Sequence, residues 1–417
     1  MLDNANIRKD FPMLQKTMQS HPLVYLDSGA TTLKPRQVID AVVNYYENYG
    51  ANAHRGDYDL SYFVDQEYEQ TRKDVAAFLH AADAREIVYT SGASSALNLV
   101  AYGYGRKFLQ RGDIILTSVA EHASCVLPWM RVAQECGAVV QYVPLDAQGR
   151  ITLEAVASMM NERVRVVALA HISNVLGYLA PMREICELAH RYGAVVVVDG
   201  AQSVPHIPLD VVAMDCDFLA FSAHKMCGPT GIGILYGKLE LLDAMDPLYL
   251  GGDSNARFDM CGNIQLKTHP INLRAAHSRL KASSVCMQPY SISKASDERI
   301  STHGEMELHD YAIRELRRLD NIEVYNPDAD TGIITFNVKK CICTGCGDLL
   351  QCERDCRAQR TALCQAVKQH AGYVRNHPGK LLSVYILCGC RSVSGCMPQS
   401  NHGSLSGCLF LGGSKNE

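Results

Sequence analysis

Two nearby segments carry the side chains best suited to chemistry: VVVVDGAQS, which ends a run of four valines with Asp199 and Gln202, and FLAFSAHKMCGPTGIG, which contains Lys225. Consecutive valines read as a strand of a parallel sheet buried on both faces. The first polar residue after such a strand stands at its carboxyl end, where open α/β sheets bind ligands. Asp199 is that residue. A carboxylate there can keep a pyridine nitrogen protonated and so make the ring an electron sink, while an amine at a neighbouring strand end can form a Schiff base. Lys225 supplies the amine. Ser222 and His224 beside it, ahead of a Gly-rich turn, supply donors suited to a phosphate. The combination predicts a pyridoxal 5'-phosphate site. Taken singly, Asp199 reads equally well as a helix N-cap and Lys225 as a solvated surface charge; the spacing of the pair favours the cofactor.

After the strand candidate EIVYT the chain runs SGASSALNLV, a Gly-bearing turn leading straight into a helix, whose free amides suit an anion. Gly92, Ala93 and Ser94 are therefore candidate phosphate ligands, although Ser91, Ser94 and Ser95 read as ordinary N-caps when taken alone. His122, in TSVAEHASC, follows the strand candidate DIILTS, where an aromatic ring could stack on the cofactor. On its own it is as readily structural. Asn174, in HISNVLG, ends another strand and offers a donor to a ring hydroxyl or a substrate carboxylate.

These residues need a scaffold that gathers several strand ends. From about residue 20 to 250 short apolar strands alternate with amphipathic helices, the pattern of the α/β class. Strand candidates are PLVYLD, EIVYT, DIILTS, VRVVALAH, AVVVVD and FLAFS; helices include PRQVIDAVVNYYENY and PMREICELAHRYG. The chain ahead of residue 20 reads as a helix packing on a smaller second domain. Beyond about residue 270 the periodicity is lost. At 417 residues and 47% hydrophobic content the chain can bury a large core, and a net charge of −4 gives no reason to expect nucleic acid or an anionic membrane as partner. MLDNANIRKDFPML lacks the apolar core of a signal peptide and no run has the length of a membrane span, so the expected location is cytoplasmic.

Assembled in order, these segments resemble the cysteine desulfurases of the class V aminotransferase group, in the branch that serves iron–sulfur assembly. The resemblance rests on YLDSGATTLKP, ANAHRG, the SGASSALN turn, EH followed by Pro128 and Trp129, HISNVLG, VDGAQS and SAHKMCGPTGIGILYG, and it runs from residue 5 to about 270. It implies a pyridoxal-phosphate enzyme of fold type I, with a mostly parallel central sheet in a large domain and a smaller α+β domain. The boundaries implied are 1–20 as an N-terminal segment of the small domain, 21–265 as the cofactor-binding domain and 266–417 as a disrupted small domain. By this resemblance Lys225 carries the cofactor, Asp199 pairs with the pyridine nitrogen, and His122 stacks on the ring and moves protons. Gln202 and Asn174 contact the ring hydroxyl, and Gly92, Ala93, Ser94, Ser222 and His224 surround the phosphate. His54, Ala30 and Asn174 fall on the substrate side. The implied partners are L-cysteine, a second copy of the chain and a sulfur-accepting scaffold protein.

The chain also departs from that pattern. Gly92-Ala93-Ser94-Ser95 stands where the family has Gly-Thr-Thr-Glu, and Ala123 where a second histidine commonly follows the stacking one. The family's Phe-Glu-(Ala or Gly)-Gly-Thr motif, its sulfur-accepting cysteine and its carboxylate-binding arginine are missing from their places. Yet EMELHDYAIREL and DTGIITFNV look like family sequence again. Rereading codons with a shifted frame and permitted synonyms turns Arg354 to Val367 into GIAVRSGQHCAKLL, and Asn376 to Lys380 into TIRAS. The opposite shift turns the stretch from Asn272 into FEGGTQ. These resemble the three missing motifs, in order. Residues 271–301 and 340–417 are accordingly read as out of frame, through sequencing error or pseudogene decay, which leaves the chain able to bind cofactor but without turnover.

The cysteines bear on the same question. Of the 17 in the chain, ten crowd between Cys341 and Cys408. A displaced frame explains the excess; the competing reading is a metal knuckle formed by Cys341, Cys343, Cys346, Cys352 and Cys356, although CxCxxC lacks paired CxxC spacing. No metal site is expected. Two further readings stay open: another class V enzyme, such as a transaminase, lyase or epimerase, or a non-catalytic protein with a cysteine-rich module.

Overall fold

Seven strands form the central sheet: β1 (Ile87–Thr90), β2 (Ile114–Ser118), β3 (Val139–Val143), β4 (Val164–Ala170), β5 (Val195–Asp199), β6 (Phe218–Ser222) and β7 (Gly233–Gly237). The structure, a computed structural model, describes residues 4–18, 21–51, 56–251, 254–267, 273, 301–320, 322–338 and 385–388. In space the order is β1-β7-β6-β5-β4-β2-β3. β7 pairs antiparallel with both neighbours and the other pairings are parallel, so the sheet is mostly parallel.

The valine run shows why this sheet is buried on both faces. Val196 and Val198 enter one core with Val167, Leu169 and Leu219, while Val195 and Val197 face the other with Val166, Ala168 and Trp129. Alternate side chains of a strand point to opposite faces, so a continuous apolar run requires cover on both. Each fully buried large aliphatic contributes about 1.5–3 kcal/mol. Helices supply the cover. Helix α1 (Ala93–Val100) follows β1, α2 (Ala123–Cys136) follows β2, and α3 (Met182–Arg191) follows β4. Helix α3 buries Met182, Ile185, Cys186, Leu188 and Ala189, a three-four spacing that makes a single apolar stripe. Helix α2 ends at Gly137, whose φ of 75° is the left-handed cap that glycine adopts without cost.

A smaller unit packs beside the sheet. Helix α4 (Ser301–Leu316) lies on β8 (Ile322–Val324) and β9 (Ile333–Val338) around Leu308, Ile313, Leu316, Ile334 and Phe336. A further strand, β10 (Tyr385–Cys388), pairs parallel with β9. This unit holds the loop after β4: Thr331 Oγ1 donates to the Gly177 carbonyl at 3.1 Å, Asn326 Nδ2 to that of Leu176 at 3.0 Å, and Asp330 Oδ2 accepts the Leu179 amide at 2.9 Å while pairing with Arg150 from the loop after β3 at 2.6 Å.

The structure corrects one expected strand and adds two that were not expected. PLVYLD is an apolar run of strand length, but residues 23–27 take no strand pairing; the Tyr25 hydroxyl instead donates to the Thr31 carbonyl at 2.6 Å. VVQYV and GILYG, not foreseen as strands, are β3 and β7. The first is an edge strand with Val139 and Tyr142 partly exposed, so its burial pattern is weak, and the second opens and closes on glycine. Ahead of residue 20, Phe11 packs with Val38, Leu33 and Cys227, beside the lysine turn. Of the stretches read as out of frame, 271–301 and 340–417, only residues 273, 301 and 385–388 are among those described.

Candidate active site

The carboxyl ends of β4, β5 and β6 lie side by side, and the residues with chemistry sit there. Asp199 closes β5, in register with Ala170 of β4 and Ala220 of β6. Lys225 ends the single 3₁₀ turn that follows β6. The two are near enough that each shifts the other. Burial lowers the Lys225 pKa, which the Asp199 charge partly restores; burial raises the Asp199 pKa, which the Ala201 amide, Lys225 and His122 partly offset. Asp199 Oδ1 accepts from the Ala201 amide at 2.9 Å. A buried amine with a lowered pKa is held toward its unprotonated form, the form that attacks a carbonyl.

The peptide that carries Lys225 is fixed from the N-terminal part of the chain. The His224 carbonyl receives the Thr32 amide at 2.9 Å, Thr32 Oγ1 at 2.9 Å, Thr31 Oγ1 at 3.1 Å and Lys34 Nζ at 3.0 Å. Thr32 Oγ1 also accepts the Cys227 amide at 2.7 Å. Burial, with the Lys225 and Lys34 charges, lowers the His224 pKa, so its ring is held neutral with one N–H to donate.

A second cluster forms where β1 meets β7. Ser222 of β6 and Thr90 of β1 both pair with Gly233 of β7. A side chain at Gly233 would run into the backbone of Gly92. With none there, Gly92, at φ 156°, brings the start of α1 against β6, and the Ala93 amide donates to Ser222 Oγ at 2.7 Å. Ser94 Oγ lies 2.6 Å from Ser124 Oγ. His122 caps α2, its Nδ1 accepting the Ser124 amide at 3.2 Å. Asn174 follows β4 in the loop held by the smaller unit, and no hydrogen bond of its side chain is found among the described residues. Gln202 is buried; its Nε2 donates to the Gly29 carbonyl at 3.2 Å, next to the exposed Ala30, while its Oε1 has no partner. His54 lies outside the described residues.

Residues 24–356 match the family model for class-V aminotransferases. The chain belongs to that family. Its class-V relatives include a probable cysteine desulfurase of Halalkalibacterium halodurans, 41% identical over 345 residues that cover 80% of this chain and 82% of the relative. Among solved structures it is similar to the cysteine desulfurase CsdA of Escherichia coli, at 36% identity and a TM-score of 0.71, covering 81% of this chain and 82% of that one. A cysteine desulfurase of Thermococcus onnurineus is 34% identical with a TM-score of 0.75, covering 82% and 84%. The chain thus falls with the cysteine desulfurases, has their fold and takes pyridoxal phosphate. The residues present fit that group: a buried carboxylate with one amide partner, a buried amine beside it, and a buried Gln202 Oε1 lacking a donor.

Sequence reasoning gave no role to Glu121 or Lys34, although both stand in the motifs it used. Glu121 Oε1 accepts from Ser118 Oγ at 2.7 Å and its Oε2 from the Ala170 amide at 2.6 Å. Burial raises its pKa to about 7, with the Asp199 charge adding to the rise. A glutamate after a strand reads as solvated, and nothing in the residue string shows that two strands part around it.

Proposed function

We propose that this chain derives from a pyridoxal-phosphate cysteine desulfurase, an enzyme converting L-cysteine to L-alanine with transfer of sulfur to an enzyme thiol, and that as written it binds the cofactor without turnover. The observation that carries the cofactor half is the Asp199 and Lys225 pair at adjoining strand ends, each shifting the other. When bound, the cofactor supplies the electron sink that labilises bonds at the substrate α-carbon. The chain's own part is positioning and charge. Asp199 holds a proton on the pyridine nitrogen, Lys225 anchors the cofactor, and His122 covers the ring from the start of α2. Gln202 and Asn174 address the ring hydroxyl. Gly92, Ala93, Ser94, Ser222 and His224 form the phosphate cradle, with Ser222 Oγ and the Ala93 amide already within 2.7 Å of each other. Ala30 and His54 are assigned to the substrate side.

The division into 1–20, 21–265 and 266–417 belongs to the same proposal, as do a homodimer, a cytoplasmic location and delivery of sulfur to a scaffold for iron–sulfur clusters. No described helix is long and apolar enough to cross a membrane. Loss of turnover follows from the frame reading: with residues 271–301 and 340–417 displaced, the sulfur-accepting cysteine and the carboxylate-binding arginine are not encoded. The test is to resequence the codons for residues 265–417 and to assay both forms. We expect L-alanine formation from L-cysteine only after compensating single-base corrections. Turnover by the chain as written would refute the proposal of lost activity, and a stoichiometric zinc content with the sequence unchanged would favour the metal knuckle.

A further inference from the structure

The sheet opens where its catalytic edge should be tightest. β2 and β4 pair from Ile114 with Val164 to Leu116 with Val167, with a register shift on the way, and the pairing then stops. Beyond that point Thr117 and Ser118 pair only with β3, as Tyr142 and Val143, while Ala168, Leu169 and Ala170 pair only with β5. A slot is left between two strand ends, and the Ala170 amide on its wall has no strand partner on that side. Buried amides need an acceptor. Glu121 provides it.

The glutamate carboxylate occupies the slot as a side-chain rung. One oxygen takes the Ala170 amide at 2.6 Å and the other takes Ser118 Oγ at 2.7 Å. Ser118 Oγ in turn accepts the Ala120 amide at 3.1 Å. Three elements of the site meet at this group. Ala170 is in register with Asp199 on β5, and the His171 amide donates to the Asp199 carbonyl at 3.1 Å. His122 is the next residue in the chain and caps the helix that bears Cys125. The residue is partly buried, and with its pKa near 7 it carries a proton for much of the neutral range, which limits repulsion of the Asp199 charge.

We propose that Glu121 is a positioning residue for the cofactor, replacing the missing rung between β2 and β4 and thereby fixing His122 and Asp199 relative to one another. The inference rests on the cofactor reading above. Its physical content is that the slot cannot close by itself: the register shift at Ile114 and Ile115 has already carried the two strands out of step, so only a side chain can bridge them. Glutamine has the length to keep an acceptor on the Ala170 amide. Alanine does not.

The test compares the wild type with E121Q, E121A and S118A by amide exchange on the unloaded protein and by visible absorption and affinity of the loaded one. In E121A the Ala170 amide should exchange about tenfold faster, and cofactor affinity should fall about tenfold with a displaced absorption maximum. E121Q should keep exchange and affinity within about twofold of wild type and leave the absorption maximum in place. A lowered melting temperature in E121A with cofactor absorption and affinity unchanged would mean an ordinary structural residue and would overturn the proposal. Should E121A not fold, S118A decides: a shifted absorption band supports the proposal and an unmoved one overturns it. A wild type that binds no cofactor strikes the reading of the site, whereas the exchange experiment on unloaded protein still decides whether Glu121 is the rung.

Discussion

Two ionic clusters sit at opposite edges of the same sheet, and they are built on opposite principles. At the amino ends of β5 and β6, Asp217 accepts from the Val196 amide at 2.7 Å and pairs with His190 at 2.9 Å and Lys238 at 2.9 Å. Asp215 joins through Lys238 at 2.6 Å and His190 at 3.1 Å. Burial pulls the Lys238 pKa down, but its bonds to Asp215 and Asp217 outweigh that and raise it. Each charge there has its partners within the chain. At the carboxyl ends, Asp199 and Lys225 are both pushed toward neutrality by burial, and Gln202 Oε1 has no donor. A saturated cluster stabilises the fold; an undersaturated one stores the free valences that a ligand fills.

Swapping one aspartate at each edge should break the comparison most sharply. Asp199→Asn should weaken cofactor binding roughly a hundredfold, on the order of 3 kcal/mol for a lost charge-assisted bond, while raising the melting temperature of the unloaded protein, because it deletes a charge that burial penalises. Asp217→Asn should do the reverse. It should cost about 2 kcal/mol by denaturant titration and leave cofactor affinity unchanged, since it removes the buried one of the two carboxylates that hold Lys238 and His190, away from the site. If Asp217→Asn also weakened cofactor binding, the two edges would not be independent and the contrast would fail.

The pH dependence of the unloaded protein offers a further test of buried titrating groups at the same end of the sheet. Glu121, raised to about 7 from 4.5, binds a proton in the folded state that the unfolded chain releases, so stability falls as pH rises between those values. His171, which burial lowers to about 4 from 6.5, does the opposite: the unfolded chain takes the proton first, and stability rises with pH over that window. Each is worth on the order of 3 kcal/mol, and between pH 4.5 and 6.5 they nearly cancel. In the wild type this pair should therefore make almost no net contribution to the slope there. E121Q should expose the histidine contribution as a climb of up to about 3 kcal/mol from pH 4 to 6.5; a flat profile in E121Q would show that the two titrations are not what balances the wild type.

The parts of this site that sequence made legible are those that a strand end announces by itself. Four valines force a buried strand, and the polar residue after them must lie at its carboxyl end; Asp199 follows from that alone. Lys225 follows from the apolar run before it and the glycines after it. What escaped notice depends on relations between strands. β7 is a five-residue strand bounded by glycines, and its first residue must lack a side chain only because Gly92 crosses over it. PLVYLD is apolar as a strand should be, yet residues 23–27 take no strand pairing, and the Tyr25 hydroxyl turns to Thr31, in the loop that clamps the His224 carbonyl. The rung at Glu121 requires knowing that β2 and β4 separate. No periodicity encodes that.

We propose that the contacts this chain keeps suffice to bind pyridoxal phosphate and that Lys225 anchors it. The most direct measurement is to load the purified protein with pyridoxal phosphate, reduce it with borohydride, and map the modified residue by mass spectrometry while assaying L-alanine release from L-cysteine in an unreduced sample. We expect stoichiometric modification of Lys225 and no alanine above the blank. Modification scattered over surface lysines with Lys225 untouched would contradict it.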